Sequence, residues 1–248
     1  MIFKMLDQRL TVSRINLFLC LALALLFSFA AGIYFGAVKL DFFQLQDQHW
    51  LIFRELRLPR VLLAILIGAM LALCGAVSQG LFRNALADPS LIGVTAGASL
   101  GASLVIVGAI SFNAGGFSSS QLHLPVLALG AFVGGIVAVV LVYQLSLKLN
   151  QGSVLTMLLV GIAVTAFASA LTGIFDYFAD SEQLRRMSLW RMGGLQAADY
   201  TSVMLAAILL LTLLISLGKF APQLDVLLLG ESEARHLGID VKKLKLRL

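Results

Sequence analysis

The distribution of charged residues divides this chain into long uncharged segments separated by short charged ones. No Asp, Glu, Lys or Arg occurs in residues 15–38, 61–82, 149–175 and 200–218, each about one helix long, or in the longer segment 89–147. A helix needs roughly 20 apolar residues to cross a bilayer. These apolar runs are continuous, whereas the strands of a membrane barrel alternate in polarity over about ten residues. The pattern therefore predicts membrane-spanning α-helices.

The segment 89–147 is long enough for two helices, and small polar residues mark a turn near its middle. These residues, of types that favour turns, are Asn113, Gly115, Gly116, Ser118, Ser119, Ser120 and Gln121. The expected fold is all-α, a polytopic integral membrane helix bundle in a single transmembrane domain over residues 1–248. Its six predicted spans lie at about residues 15–38, 61–82, 91–112, 124–147, 153–175 and 200–218.

Composition excludes an ordinary soluble enzyme, a disordered tail and a basic nucleic-acid-binding domain. Of the 248 residues, 60% are hydrophobic and 12% are charged, about half the charge of an average soluble domain. Cytoplasmic loops are enriched in Lys and Arg, and the loops carry more of these residues if the N-terminus is cytoplasmic. The first span follows basic residues, as a signal peptide does, but it exceeds the roughly 7–15 apolar residues of a signal peptide. An uncleaved anchor is therefore favoured.

Small residues recur four positions apart along several predicted spans. In lipid, such rows allow two helix backbones to approach closely, so they predict a packed bundle rather than separate anchors. The rows are Gly32 and Gly36; Gly93, Gly97 and Gly101; Gly130 and Gly134; and Gly161, Thr165, Ser169 and Gly173.

The predicted spans contain none of the chemistry of an enzyme or a proton-coupled carrier. They hold no Asp, Glu, Lys or Arg, the residues that mark proton relays in membranes. The three histidines are scattered, and Cys20 and Cys74 lack metal-ligand spacing, so we expect the cysteines to be small packing residues. We expect no cofactor, no metal and no catalytic residue. Any pumping would need energy from a partner.

Two loop motifs flank the second span. The sequence RLPR at residues 57–60 precedes it, and Pro59 suits a first helical turn. Its arginines are either anchors that snorkel to lipid headgroups or a docking patch for an acidic external partner. The sequence RNALADP at 83–89 follows the span as a tight inner turn. There, Asp88 is a candidate N-cap and Pro89 a candidate first helical residue.

Two later loops are also informative. The loop at 176–199 contains Trp190, which we expect at the membrane interface. The segment LGESEARHLG, residues 229–238, has acidic residues early and basic residues late, which suits the dipole of a short helix. Gly238 is a candidate left-handed cap. Because a two-turn helix is marginal alone in water, we expect it to pack against the membrane domain or another protein; an incidental interfacial helix is the alternative.

Taken together, the motifs resemble those of the FecCD-type permeases, the membrane subunits of type II ABC importers for iron–siderophores, haem and cobalamin. In the family these proteins have about ten spans of roughly 20 residues, of which six are predicted here. In chain order, the matching sequences are RLPR at 57–60, SQGLF at 78–82, RNALADP at 83–89, LIGV at 91–94, GA at 97–98, LVGIA at 159–163, WRMGG at 190–194 and LGESEARHLG at 229–238.

The resemblance implies roles for individual residues. Arg57 and Arg60 would face the periplasm and pair with glutamates of a substrate-binding protein. The residues leading into the fifth span would form a cytoplasmic gate; by position these are Gly152, Ser153, Val154 and Leu155. Residues 229–238 would be the coupling helix that sits in a groove of a cytoplasmic ATPase, through Leu229, Gly230, Glu231, Ala234, Arg235, Leu237 and Gly238.

The resemblance also implies partners and a location. The partners are cytoplasmic ABC ATPase subunits, a periplasmic substrate-binding protein, a second permease copy that makes a homodimer, and membrane lipid. The location is the bacterial inner membrane, with a cytoplasmic N-terminus. Ala85 stands where the family usually has proline, which predicts a looser inner turn. The chain stops soon after the coupling segment, which predicts a truncated product, a fragment or an incomplete sequence.

The leading hypothesis is an importer permease for an iron chelate, with haem favoured over a ferric siderophore. The alternatives are a cobalamin permease and a non-transporting fragment that still docks an ATPase. An intramembrane enzyme is disfavoured because its candidate polar residues have no paired base; they are Ser78, Gln79, Thr156 and Thr165.

Overall fold

A computed structural model describes residues 2–36, 47–112, 123–150 and 153–247. The regular structure of these residues is helical, without strands, which confirms the all-α fold class. A π-helical turn at Ile52–Arg57 leads into the third helix, and a 3-10 turn at Pro89–Ile92 leads into the fourth. The helices are α1 Ile2–Tyr34, α2 Asp47–Leu51, α3 Leu58–Phe82, α4 Val94–Phe112, α5 His123–Asn150, α6 Val154–Phe178, α7 Ser181–Met192, α8 Tyr200–Leu228, α9 Glu231–His236 and α10 Val241–Arg247.

Helices lie at all six predicted spans. The helix at the third predicted span begins three residues later than expected, at Val94, because Leu91 and Ile92 belong to the 3-10 turn; it ends at Phe112. The last continues to Leu228, well past its predicted end at residue 218. Residues 37–38 of the first predicted span and the predicted turn at 113–121 lie outside the described residues. Within the described residues, the helices long and apolar enough to cross a bilayer are Ile15–Tyr34, His49–Phe82, Val126–Leu149, Val154–Phe178 and Tyr200–Leu228.

The chain divides into two compact units. The first comprises Met1–Ala69 and Leu195–Leu211, and the second comprises Met70–Gly194 and Thr212–Leu248. In the first unit, α1 and α3 approach at Gly32, where a Cβ atom would lie 3.2 Å from a methyl carbon of Val61. The apolar side chains of α1 are largely exposed, as expected for a helix whose surrounding solvent is lipid.

In the second unit, α4 and α5 pack through the small residues that the sequence singled out. Gly97 and Gly101 of α4 face Gly134 and Gly130 of α5. A Cβ atom on Gly97 would lie 2.6 Å from the carbonyl oxygen of Gly134, and one on Gly101 would overlap the carbonyl of Gly130. The prediction of close backbone approach is confirmed at these positions, since no larger residue fits without moving a helix.

Two other packing predictions need correction. Gly161 of α6 does face a backbone carbonyl, that of Leu91, but a Cβ atom on Gly173 would have nothing within 4 Å. The predicted row on α6 therefore ends before Gly173. Cys20 and Cys74, expected to pack as small apolar residues, are both exposed, because each lies on a helix face turned away from the described neighbours.

A buried hydrophobic cluster joins the ends of α3 and α8 to the two short helices that follow. Leu227 and Ala234 are fully buried within it. Burial of this kind fixes short helices that would not be stable alone. The cluster comprises Leu81, Phe82, Ala87, Met157, Leu227, Ala234, Val241 and Leu244.

Candidate functional site

The short helix α9 is bounded by glycines in conformations that favour glycine. Gly230 has φ +126° and Gly238 has φ +84°. The N–H of Gly238 donates to the Arg235 carbonyl oxygen at 3.0 Å, and the N–H of Ile239 donates to the Ala234 carbonyl oxygen at 2.9 Å. These are the two hydrogen bonds of a Schellman cap. The predicted left-handed cap at Gly238 is therefore confirmed.

One face of α9 is buried and the other is exposed. Ala234 is fully buried in the cluster defined above, so the prediction that this segment packs against the membrane domain is confirmed. The side chain of Arg235 is 60% exposed. The neighbouring residues Leu229 and Leu237 are 68% and 64% exposed. Exposed leucines thus stand before and after α9 in the chain, with an exposed arginine on the helix between them, and protein interfaces often combine apolar side chains with arginine.

An ion pair attaches α9 to α10. The Lys245 ammonium lies 2.8 Å from a Glu231 carboxylate oxygen, and the two side chains are 4% and 22% exposed. Arg235 lies farther from the same carboxylate, at 3.6 Å. A buried ammonium without compensation costs several kcal/mol, so the pair holds the first turn of α9 beside α10. Lys245 was not among the residues singled out from the sequence, although the buried Val241 and Leu244 mark one face of its helix.

The two predicted docking arginines differ in their surroundings within the first unit. Arg57 is 9% exposed, and its Nη1 donates to the carbonyl oxygens of Ile33 and of Tyr34, the latter at 3.0 Å. These are the last carbonyls of α1, where a cation is favourable because the helix end carries partial negative charge. Arg60 is exposed, and its Nε donates to the Leu195 carbonyl oxygen at 3.1 Å.

The predicted gate residues start α6. The Ser153 hydroxyl caps the helix: it accepts from the Thr156 N–H at 3.3 Å and lies 2.7 Å from the Thr156 hydroxyl. Val154 packs against the buried cluster, whereas Leu155 is 67% exposed. Gly152 lies outside the described residues. The structure thus places an apolar side chain, Leu155, at the exposed start of this helix.

The RNALADP turn is capped as the sequence predicted. Asp88 accepts a hydrogen bond from the Ser90 N–H at 2.7 Å, and Pro89 is the first residue of the turn that follows. Hydrogen bonds from the Ser90 side chain and backbone lower the pKa of Asp88. The capped element is a 3-10 turn rather than the start of α4. Arg83 lies nearby, with one guanidinium nitrogen 3.4 Å from where a Cβ of Gly230 would sit.

The predicted loop at 176–199 connects α6 to α8 and contains a helix of its own, α7. Asp180 accepts from the Gln183 N–H at 2.8 Å, and the Gln183 side chain accepts from the Asp180 N–H at 2.9 Å. This is a capping box. The sequence carries the signal for this motif, because Gln183 follows Asp180 by three residues. Trp190, expected in a loop, lies on this helix.

A groove of about 690 Å³ lies along α4, α6 and α7 in the second unit, within the size range of small-molecule sites. At one part of it, Arg191 donates to Asp176 at 2.6 Å, and the two side chains are 36% and 30% exposed. Hydroxyl groups supply other polar atoms, so the groove offers hydrogen bonds as well as apolar surface. Its polar lining residues are Ser90, Thr95, Ser99, Thr165, Ser169, Thr172, Asp176 and Arg191.

The long apolar helices and the short capped helix after them define a polytopic helical membrane protein. Its fold matches a solved structure, described as an inward-facing conformation of a metal-chelate type ABC transporter, with a TM-score of 0.77 and 30% identity. The match covers 94% of this chain and 70% of that one. Residues 17–248 match the FecCD transport family. The chain belongs to the FecCD transport family, as its motifs indicated.

Curated relatives carry names of transport subunits rather than enzymes. The hemin transport system permease protein HmuU of Yersinia pestis is 40% identical over 86% of this chain and 63% of its own length. The molybdate import system permease protein MolB of Haemophilus influenzae is 34% identical over 77% of this chain and 53% of its own length. The cobalamin import system permease protein BtuC of Halobacterium salinarum is 33% identical over 90% of this chain and 55% of its own length. The matches thus span 53% to 63% of these relatives' lengths.

Proposed function

We propose that this chain is the membrane-spanning permease subunit of an ABC importer that carries an iron chelate across a bacterial inner membrane. A separate cytoplasmic ATPase supplies the energy, and the permease itself performs no covalent chemistry. Membership of the FecCD transport family and similarity to relatives named as permeases support the proposal. The distribution of Lys and Arg supports a cytoplasmic N-terminus.

The observation that carries the proposal is the construction of α9. Its C-terminal end is fixed by the cap at Gly238 and its inner face by the buried Ala234, while Leu229, Arg235 and Leu237 are exposed. A rigid helix with an exposed apolar surface is suited to transmit force to a partner. In this proposal the exposed side chains occupy a groove of the ATPase, and nucleotide-driven movement of that groove displaces the attached helices as rigid bodies.

The first unit supports docking of a periplasmic substrate-binding protein, with unequal contributions from its two arginines. Arg60 is exposed and is available for an acidic partner. Arg57 is engaged with the end of α1, so its contribution is to hold the surrounding backbone in place. Arg60 is therefore the residue that we propose contacts glutamates of the binding protein.

The groove along α4, α6 and α7 is the candidate for one half of the substrate path, with a second copy of the chain supplying the other half in a homodimer. Its hydroxyls and the Asp176–Arg191 pair offer polar contacts to a chelate. In the same proposal, the residues from Gly152 to Leu155 form the cytoplasmic gate. The exposure of Leu155 supports an apolar constriction there.

Haem is the favoured substrate. The hemin permease HmuU is 40% identical to this chain, against 34% and 33% for the molybdate and cobalamin relatives. A ferric siderophore or cobalamin is the alternative cargo. The other alternative is a chain that docks an ATPase without transporting a cargo.

The test is reconstitution of the chain with the ATPase and binding protein encoded by neighbouring genes. We expect the ATPase to copurify and proteoliposomes to accumulate haem in the presence of ATP, in preference to a ferric siderophore or cobalamin. Accumulation of cobalamin instead would replace the substrate assignment. Copurification without uptake of any cargo would support the non-transporting alternative. Absence of copurification would refute the proposed function.

A further inference from the structure

The ion pair between α9 and α10 places a nearly buried charge, that of Lys245, against the first turn of the proposed coupling helix. The Lys245 side chain is 4% exposed and the Glu231 side chain 22% exposed, with the charged atoms 2.8 Å apart. Lysine is seldom this buried without a partner, because the ammonium loses its hydration. Both residues belong to short helices, so the pair joins two elements that also pack together in the buried cluster.

The geometry restricts the orientation of α9 in a way that apolar packing does not. Ala234 is a small side chain, and apolar contacts such as those of the buried cluster are non-directional. An ion pair within hydrogen-bonding distance is directional, and Glu231 lies in the first turn of α9, away from the C-terminal glycine cap. Lys245 therefore fixes the end of α9 that the Schellman cap does not fix.

We propose that Lys245 is a positioning residue for α9: by holding Glu231, it sets the orientation in which the exposed face of α9 meets the ATPase, and thereby the efficiency with which hydrolysis drives transport. The inference rests on the proposed function. It also changes the role of Glu231. The resemblance places this residue among those that contact the ATPase, whereas here it pairs with Lys245 of α10. The exposed residues Arg235 and Leu237 remain as the contact surface.

The test uses Lys245→Met in the reconstituted complex of permease, ATPase and binding protein. Methionine is apolar enough for a buried site, and the Glu231 carboxylate is partly exposed and keeps Arg235 at 3.6 Å, so we expect the variant to fold. Copurification of the ATPase and the unfolding midpoint should stay close to those of the unsubstituted protein. The number of substrate molecules imported per ATP hydrolysed should fall by about tenfold, within the usual range of coupling between sites.

Lys243→Met is the matched control. It makes the same substitution on the same helix, but Lys243 is 72% exposed and pairs with Asp240 at 3.2 Å. We expect uptake per ATP to be unchanged. If Lys245→Met also retained the normal ratio, the positioning role would be refuted, although the proposed function would stand. If the unsubstituted chain failed to bind an ATPase at all, the proposed function would fail first.

A charge exchange separates positioning from simple stability. Lys245→Glu alone places two carboxylates together and should lower uptake per ATP at least as much as Lys245→Met does. Combining it with Glu231→Lys restores an ion pair of opposite polarity, and we expect the ratio to recover by at least half. Recovery of the unfolding midpoint without recovery of uptake per ATP would contradict the proposal, because it would mean that the pair serves stability alone.

Discussion

At the scale of single residues, Arg57 and Arg60 show that identical side chains in one motif have different environments. Arg57 completes the end of α1 by donating to two of its terminal carbonyls. Gly36 leaves room for it, since a Cβ atom there would lie 2.7 Å from the guanidinium. Arg60 is exposed and makes one exposed hydrogen bond to a backbone carbonyl. The motif therefore combines a structural arginine with an accessible one.

These environments predict opposite consequences for two substitutions. Arg60→Glu should weaken binding of the substrate-binding protein by about fivefold, or ~1 kcal/mol, as expected for an exposed ion pair. The effect should shrink as salt rises, because exposed charges are screened. The measurement is the binding-protein Kd for the permease in lipid nanodiscs, at low and at physiological salt. An unchanged Kd at low salt would remove Arg60 from the docking surface.

Arg57→Met provides the contrast. Loss of charged, partly buried hydrogen bonds to the end of α1 should lower the free energy of unfolding by about 1.5–3 kcal/mol, with little direct effect on docking once the folded fraction is taken into account. Detergent-titrated unfolding of both variants is the measurement. If Arg57→Met weakened docking as much as Arg60→Glu while unfolding normally, the division of roles between the two arginines would be wrong.

At the scale of helices, the α4–α5 contact depends on the absence of side chains. Gly101→Ala should drive a methyl group into the Gly130 carbonyl and lower the free energy of unfolding by about 1–3 kcal/mol, the usual cost of overpacking. Gly108→Ala on the same helix meets nothing within 4 Å and should be neutral or slightly stabilising, since alanine favours helix over glycine. Equal unfolding midpoints for the two variants would contradict close packing of these helices.

The sequence predicts helices better than it predicts the partners of charged side chains. Each span is visible because a bilayer requires a long apolar run, and the cap at Gly238 is visible because few residues adopt a positive φ. The capping box of α7 was also visible, in Asp180 and Gln183, but a polar segment between spans resembles a loop. The Lys245–Glu231 pair is different, because it depends on how α9 and α10 pack, which local sequence does not specify.

At the scale of the whole molecule, the proposed coupling depends on one small exposed surface on α9. Leu237 is 64% exposed and lies two residues after Arg235, and arginine is among the residues that often dominate interface energies. The helix beneath it is tied to α3, α6, α8 and α10 through the buried cluster. Force applied to this surface therefore reaches the ends of three long helices at once.

Leu237→Asp tests whether this surface binds the ATPase. Removing a central apolar contact and adding a charge should raise the Kd for the ATPase at least about thirtyfold, equivalent to ~2 kcal/mol, without altering the unfolding midpoint, because the side chain is already largely exposed. Leu246→Asp on α10 is the control, since Leu246 is 67% exposed in the same unit. Titration of purified ATPase onto the permease in nanodiscs gives both constants. A similar loss from both substitutions would indicate a general effect of negative charge near α10, and α9 would then lose its assignment as the docking helix.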